Sequence, residues 1–181
     1  MADRLLVERL VHPYWEFVEA GYQVEVFSPD GGKLQGDKWS DPRDDSKYSV
    51  EDLLSLGFIH SPDHCGLVEN SKSLKGLKVE NFDAILFVGG QGPMYTFYDD
   101  ERVHQLAAEF YEAGKITAVI CHATCILLRT KLSTGKFSWR EKPGRDLRTP
   151  KSNTLTPTWG NASSRSGSKK KRGNWRARIS S

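Results

Sequence analysis

Apolar residues in the first three quarters of the chain alternate between helical and strand spacings. Helical spacing predicts a helix over 10–21, closed by Gly21, and another over 100–113. Short, fully apolar and largely β-branched runs predict buried strands at 24–28, 84–88 and 116–120. The stretch 33–80 is polar and irregular, with at least one helix predicted near 50–56. This order predicts an α/β fold, a parallel sheet with helices on both faces.

The third predicted strand ends abruptly on Cys121 and His122, which small residues and the helix-like run 126–128 follow. A strand, a cysteine and then a helix are typical of a nucleophile elbow, where the positive end of the helix favours the thiolate. Active groups of parallel sheets collect at the carboxyl ends of the strands, where Gly89 and Gly90 are also expected. The alternative is a buried strand end with inert cysteines, and this stretch alone leaves both interpretations open.

Charge divides the chain into two unlike parts. Up to residue 137 there are 14 lysines and arginines against 21 aspartates and glutamates, whereas 138–181 holds 12 against 2. The basic part has no hydrophobic period, so we expect a disordered tail that cannot offset its ordering entropy by burial. Its cationic cluster at 168–172 indicates either a solvated tail without a selected role or nonspecific, salt-sensitive binding of nucleic acid.

Composition narrows the classes of protein and site. No apolar run is long enough to span a membrane and no signal peptide pattern opens the chain, so we expect a cytoplasmic protein without a membrane partner. Cys65, Cys121 and Cys125 form no disulfide framework and suit a reducing compartment. His60, His64 and Cys65 lie close together, but a metal site needs further ligands, and we expect none. Cys125, one helical turn past Cys121, is interpreted as a core thiol or, less simply, a resolving partner.

Five short motifs in the right order resemble the ThiJ/PfpI family, in particular its subgroup of heat-shock chaperones and glyoxalase III-type enzymes. They are VHPY at 11–14, GY at 21–22, SPDGG at 28–32, GGQGPM at 89–94 and VICHA at 119–123. The resemblance covers roughly 10–136. It implies a flavodoxin-like sheet of the class I glutamine amidotransferase type.

The resemblance also implies a site and a reaction. Cys121 would be the nucleophile and His122 its neighbouring base, while backbone N–H groups near Gly90 and His122 would stabilise an oxyanion. Such enzymes convert methylglyoxal-like 2-oxoaldehydes to hydroxy acids without an added cofactor, and family members commonly form homodimers.

The chain departs from the family pattern at both ends. The family begins with a buried first strand, and its loss would leave a gap in the sheet between the strands at 24–28 and 84–88. The family's cysteine-tuning glutamate is replaced by Arg9, so Glu8 is considered as a displaced acid. The family's elements and acidic triad member beyond the elbow have no counterpart after Lys136. We therefore expect a non-family start at 1–9, a partial α/β domain at 10–137 and the basic tail at 138–181.

A shifted reading frame offers one explanation for these departures. Residues 136–180 can be encoded so that another frame gives a family-like peptide starting VLVEGKTWTGF, and 3–9 so that it gives TGFWLSE, which carries the missing glutamate. The hypothesis is a frame-disrupted family member that is impaired as an enzyme. The alternative is an inactive remnant or a chaperone-like protein without catalysis.

Overall fold

The computed structural model describes residues 4–136 and 177–180. Its strands and helices, in chain order, are β1 Arg4–Leu5, α1 Val7–Glu19, β2 Val26–Ser28, β3 Gln35–Gly36, α2 Leu53–His60, α3 Pro62–Glu69, β4 Lys72–Ser73, β5 Ala84–Phe87, α4 Pro93–Thr96, α5 Glu101–Glu112, β6 Ile116–Val119 and β7 Ala177–Ser180. Two 3-10 helices, Val79–Asn81 and Cys121–Leu128, complete the described part.

The main sheet has five parallel strands in the order β4-β2-β7-β5-β6. A separate parallel pair joins β1 to β3. The predicted α/β architecture with a parallel sheet is confirmed. Of the helices in 4–136, none is long and apolar enough to cross a membrane.

Alternate residues of the central strands enter two different hydrophobic cores. Phe27, Ile85 and Phe87 pack on the side of α5, whereas Val26 and Val88 pack on the side of α1 and α2. Both faces of the sheet are therefore covered. This explains why the strands are continuous apolar runs rather than alternating ones.

Helix α1 begins three residues earlier than the sequence predicts. Val7, Leu10, Val11 and Tyr14 are all buried, and their spacing of three and four residues places them on one face of the helix. The prediction that Gly21 closes this helix is confirmed, since Gly21 follows its end with a φ of 88°.

The stretch 33–80 is more ordered than predicted, because it contains α2, α3 and two short strands. Asp52 caps α2 by accepting a hydrogen bond from the Ser55 N–H at 3.1 Å. Phe58 and Ile59 of α2 are buried in the same core as α1. Burial of these residues against α1 orders a segment whose own composition is mostly polar.

The predicted disordered tail at 138–181 lies mostly outside the described residues, which resume at 177. The four residues Ala177–Ser180 form a strand, contrary to the expectation for that part of the tail. This strand pairs with both β2 and β5, and Ile179 lies opposite Val26 on one side and Leu86 on the other. It fills the gap that the missing first strand was expected to leave. The facing edges of β2 and β5 offer backbone N–H and C=O groups, and a segment of basic composition can pair with them through its own backbone.

Candidate active site

Cys121 lies on a strained turn at the carboxyl end of β6. Its φ is +59°, a left-handed conformation that is uncommon for a residue with a side chain. Ile120 before it is extended and the 3-10 helix Cys121–Leu128 begins at the cysteine. The Thr124 hydroxyl donates to the Cys121 carbonyl at 2.9 Å. The thiol-bearing residue is partly exposed, which is the geometry expected of an elbow.

Two glycines after β5 bring the backbone of other elements into direct contact with this turn. A Cβ on Gly89 would lie 2.6 Å from the His122 backbone nitrogen and 2.8 Å from that of Ala123. A Cβ on Gly90 would lie 2.6 Å from the Leu6 nitrogen, at the start of α1. Only residues without side chains fit at these two positions.

The ring of His122 is oriented by Gly90. Its Nδ1 lies 3.2 Å from the Gly90 carbonyl oxygen, which can only accept, so Nδ1 carries the proton and donates. This tautomer leaves Nε2 with a free lone pair. The hydrogen bond therefore brings Gly90 next to His122, the residue that follows Cys121 in the chain.

The start of α1 and the segment after β3 complete the surroundings. The Leu6 N–H donates to the Gly89 carbonyl at 3.2 Å, and the Gln91 N–H donates to Asp37 Oδ2 at 3.0 Å. The Asp37 N–H in turn donates to the Leu5 carbonyl at 2.8 Å. Sequence reasoning missed Asp37, because it lies in the irregular stretch with no motif around it.

A cavity of about 360 Å³ opens beside the elbow. Its lining residues are Leu6, Asp37, Lys38, Trp39, Gln91 and His122. Trp39 is 68 % exposed, and its ring centroid lies 6.1 Å from that of Tyr48. Sequence reasoning also missed Trp39. Two lining residues, Gln91 of the GGQGPM motif and His122 of the VICHA motif, lie in motifs that the sequence analysis identified.

The candidate displaced acid Glu8 does not contact the thiol through a hydrogen bond. Glu8 lies in the first turn of α1, and its Oε2 is buried without a hydrogen-bond partner within the described residues. Arg9, at the position of the family's glutamate, is exposed. The structure thus brings Cys121, His122 and Gly90 together and leaves Glu8 outside their hydrogen bonds.

Two of the remaining candidate residues, Cys125 and His64, have structural partners. Cys125 is buried, its Sγ donates to the Pro93 carbonyl at 3.4 Å, and burial raises the pKa of its thiol. His64 shares a 2.8 Å hydrogen bond with the Ser61 hydroxyl and packs against Trp15 in a tilted arrangement, with ring centroids 4.7 Å apart. Across residues 4–136, no three histidine, cysteine or acidic side chains are grouped as metal ligands.

A cysteine on a strained turn, at the carboxyl edge of a doubly covered parallel sheet, defines the class of α/β proteins with a nucleophile elbow. The chain belongs to the DJ-1/PfpI family, whose model matches residues 7–138. The ThiJ/PfpI resemblance predicted from the motifs is confirmed by this match.

Three known proteins are each similar to this chain over part of their length. A curated Schizosaccharomyces pombe protein, "Probable glutathione-independent glyoxalase hsp3104", is 29 % identical over 68 residues, which are 38 % of this chain and 31 % of the relative. Rapid Encystment Protein 24 kDa of Francisella tularensis matches with a TM-score of 0.64 and 25 % identity, over 74 % of this chain and 56 % of its own. Glyoxalase III of Candida albicans matches with a TM-score of 0.55 and 18 % identity, over 74 % and 55 %. The last likeness supports the flavodoxin-like fold alone.

The chain spans about a third of the curated relative and little more than half of these two solved proteins.

Proposed function

We propose that this chain carries a cysteine-dependent 2-oxoaldehyde site of the glyoxalase III type, with Cys121 as the nucleophile and His122 as the base. The observation that carries the proposal is the strained turn, since a φ of +59° at a non-glycine residue persists only where the surroundings impose it. Gly89 supplies that constraint through its close approach to the elbow backbone. Similarity to the probable glyoxalase of S. pombe supports the substrate class.

The proposed reaction needs only the substrate and water. The Cys121 thiolate adds to the aldehyde carbon, and the aldehyde oxygen takes up a proton to give a hemithioacetal. The hydrogen on that carbon then leaves as a proton, its electron pair forms a double bond to the neighbouring carbon, and the neighbouring carbonyl oxygen takes up a proton to give an enediol. Protonation of the neighbouring carbon, with loss of the proton from the hydroxyl on the sulfur-bearing carbon, gives a 2-hydroxyacyl thioester. Water hydrolyses the thioester, which releases the 2-hydroxy acid and returns the thiol.

The surrounding groups would assist these steps. His122 Nε2 would accept and return the proton, because Nδ1 is held by the Gly90 carbonyl. Backbone N–H groups of Gly90 and His122 would stabilise the developing oxyanion. Glu8 would act as a displaced acid by reaching the substrate with its unpartnered oxygen. In that case Glu8→Gln should lower turnover without lowering the free energy of unfolding.

The test is lactate formation from methylglyoxal by the full chain. We expect lactate to accumulate with the unmodified protein and to fall at least 100-fold with Cys121→Ser. Cys65→Ser is the matched control, because it removes a thiol at a distance from the elbow in sequence and should leave the rate unchanged. Equal rates for the protein and Cys121→Ser would contradict the proposal.

One observation favours the second candidate, an inactive remnant or a chaperone-like protein. Arg9 is exposed where the family has its cysteine-tuning glutamate, and the Glu8 Oε2 has no hydrogen-bond partner within the described residues. If the chain has this second function, the unmodified protein should form no lactate from methylglyoxal. If the chain suppresses aggregation of a heated client protein, Cys121→Ser should suppress it equally well.

We further propose a cytoplasmic homodimer whose basic residues at 138–181 bind nucleic acid without sequence preference. Clustered cations release counterions from the phosphate backbone. Binding should therefore weaken steeply as the salt concentration rises from about 50 to about 200 mM. Replacing Lys169, Lys170 and Lys171 by glutamine should reduce that salt dependence. An unchanged slope would exclude this cluster as the contact.

A further inference from the structure

Strand β7 is the element that joins the two halves of the main sheet. It pairs with β2 at two positions and with β5 at four, always in parallel. Among the strands that the structure describes, β2 and β5 are not paired with each other. Without β7 the sheet would separate into the pairs β4-β2 and β5-β6, each with an unpaired edge.

The candidate active site is built across the same division. Gln91 and His122 follow β5 and β6, whereas Asp37 and Trp39 follow β3 in the segment that continues from β2. The hydrogen bond from the Gln91 N–H to Asp37 crosses between the two sides at 3.0 Å. One wall of the cavity therefore follows strands of the main sheet, and the other follows β3 of the separate β1–β3 pair.

The connection of β7 to the rest of the chain does not force it into this position. Forty residues separate Lys136 from Ala177. An extended chain of that length could span on the order of 130 Å, several times the width of the sheet. The strand is held by backbone pairing on both sides, which is the interaction used when a protein accepts an added strand from a peptide.

We propose that the slot between β2 and β5 is a strand-acceptor site for an extended, parallel peptide, that its occupant is this chain's own Ala177–Ser180, and that filling it assembles the cavity beside Cys121. The proposal is independent of the chemistry at Cys121, since it concerns which segment completes the sheet. Because pairing is through the backbone, the same segment supplied as a separate peptide should bind when the chain's own copy cannot.

The test removes the backbone donor of one central position. Ile179→Pro eliminates an N–H inside a strand that is paired on both sides, where proline is not tolerated. Ser166→Pro is the matched control in the same tail. Hydrogen exchange of amides in β2 and β5 should become at least ten-fold faster in Ile179→Pro and stay unchanged in Ser166→Pro. Equal protection in both variants would overturn the proposal.

Rescue by a peptide distinguishes an acceptor site from simple loss of structure. A synthetic peptide of residues 175–181 at about 1 mM, the effective concentration of a short tether, should restore protection of β5 and the alkylation rate of Cys121 in Ile179→Pro. The same peptide with proline at 179 should not. If Ile179→Pro is unfolded by circular dichroism, recovery of the folded signal on adding the first peptide is the readout, and no recovery would overturn the proposal.

A disulfide trap identifies the occupant in the otherwise unmodified chain. Leu86 and Ile179 lie opposite each other, so the double variant Leu86→Cys/Ile179→Cys should form a bond within one chain. Ala84→Cys/Ser180→Cys is out of register and should not. A bond that links two chains would show that a second copy fills the slot, which would overturn the assignment to the chain's own tail.

Discussion

At the scale of single residues, the candidate site depends on one strained cysteine and the glycine that packs against it. Cys121 has a positive φ. Gly89 lies so close to the residues after Cys121 that a methyl group on Gly89 would touch the backbone atoms of His122 and Ala123. Backbone cannot give way as a flexible side chain can. The turn that exposes the thiol therefore requires a residue without a side chain at position 89, after β5.

Gly89→Ala tests this constraint. The added methyl group would lie 2.6 Å from the His122 nitrogen, so the elbow must shift, and we expect a loss of about 1–3 kcal/mol in the free energy of unfolding. Denaturant titration measures it. Gly57→Ala is the control, because it meets no atom within 4 Å inside helix α2 and should be neutral or stabilising by up to about 1 kcal/mol. Equal losses in the two variants would show that Gly89 does not constrain the turn.

Alkylation separates the two neighbouring thiols. Burial raises the pKa of Cys125 and encloses its sulfur, whereas Cys121 is partly exposed. Iodoacetamide at pH 7–8, a range in which thiol reactivity follows the thiolate fraction, should modify Cys121 at least ten-fold faster than Cys125. Peptide mass spectrometry of a time course measures both rates, and faster labelling of Cys125 would contradict the structure.

At the scale of elements, helix α5 connects the two strands that carry the site, and Asp100 fixes its start. The Asp100 carboxylate accepts from the Arg102 N–H at 2.9 Å and binds the Arg102 guanidinium, which also reaches Asp30 at 2.8 Å. Burial alone would raise the pKa of Asp100, but the hydrogen bonds from Arg102 outweigh it and leave the pKa lowered. The acid at this helix start thus links the turn after β2 to α5.

Asp100→Ala should remove this cap and cost about 1 kcal/mol of unfolding free energy at neutral pH. Because the folded-state pKa is lowered, the stabilisation is present above the unfolded pKa and is lost as pH falls through the folded one. The difference between variant and parent should therefore shrink below about pH 4. Thermal or denaturant unfolding at pH 7 and pH 3 measures it.

Asp99→Ala is the control for this helix cap. Asp99 pairs with Arg129 on the surface, and both side chains are about half exposed or more. Exposed pairs contribute about 0–1 kcal/mol, so this variant should cost less than Asp100→Ala. A larger loss in Asp99→Ala would contradict the role given to the cap.

At the scale of the whole molecule, the sheet separates two hydrophobic cores, and each contains a fully buried phenylalanine from a helix. Phe58 of α2 and Phe110 of α5 are both fully buried. Phe58→Ala and Phe110→Ala should each cost about 3–5 kcal/mol, because each leaves a cavity in a packed core. Leu53→Ala, at a side chain 73 % exposed, should cost far less in the same denaturant titration. A small loss in either phenylalanine variant would show that its core is loosely packed.

Much of the architecture follows from local pattern. Strands at Ala84–Phe87 and Ile116–Val119 and the helix at Glu101–Glu112 agree with their sequence predictions within two residues. Fully apolar strands and capped amphipathic helices carry their own signals. The stretch 33–80 is less regular in pattern, and its helix α2 is ordered by burial of Phe58 and Ile59 in the same core as α1.

The candidate site divides in the same way. The run from Ile120 to Ala123 and the glycines at 89 and 90 identify the elbow from the sequence, since a strand, a cysteine and small residues have a fixed local geometry. Asp37 and Trp39 reach the cavity only through the folding of the irregular stretch. Their contribution depends on contacts across 54 residues in the case of Asp37 and Gln91, which no local pattern records.

The sequence by itself determined the α/β class, the family and the cysteine on its elbow, because these follow from spacings within a few residues of each other. Tertiary structure alone decided how the middle of the sheet is completed. The residues that do so, Ala177–Ser180, lie in a basic stretch with no strand signal, and they pair with β2 and β5 through the backbone. Backbone groups are the same in every residue but proline, so the amino-acid pattern does not reveal which segment will occupy such a place.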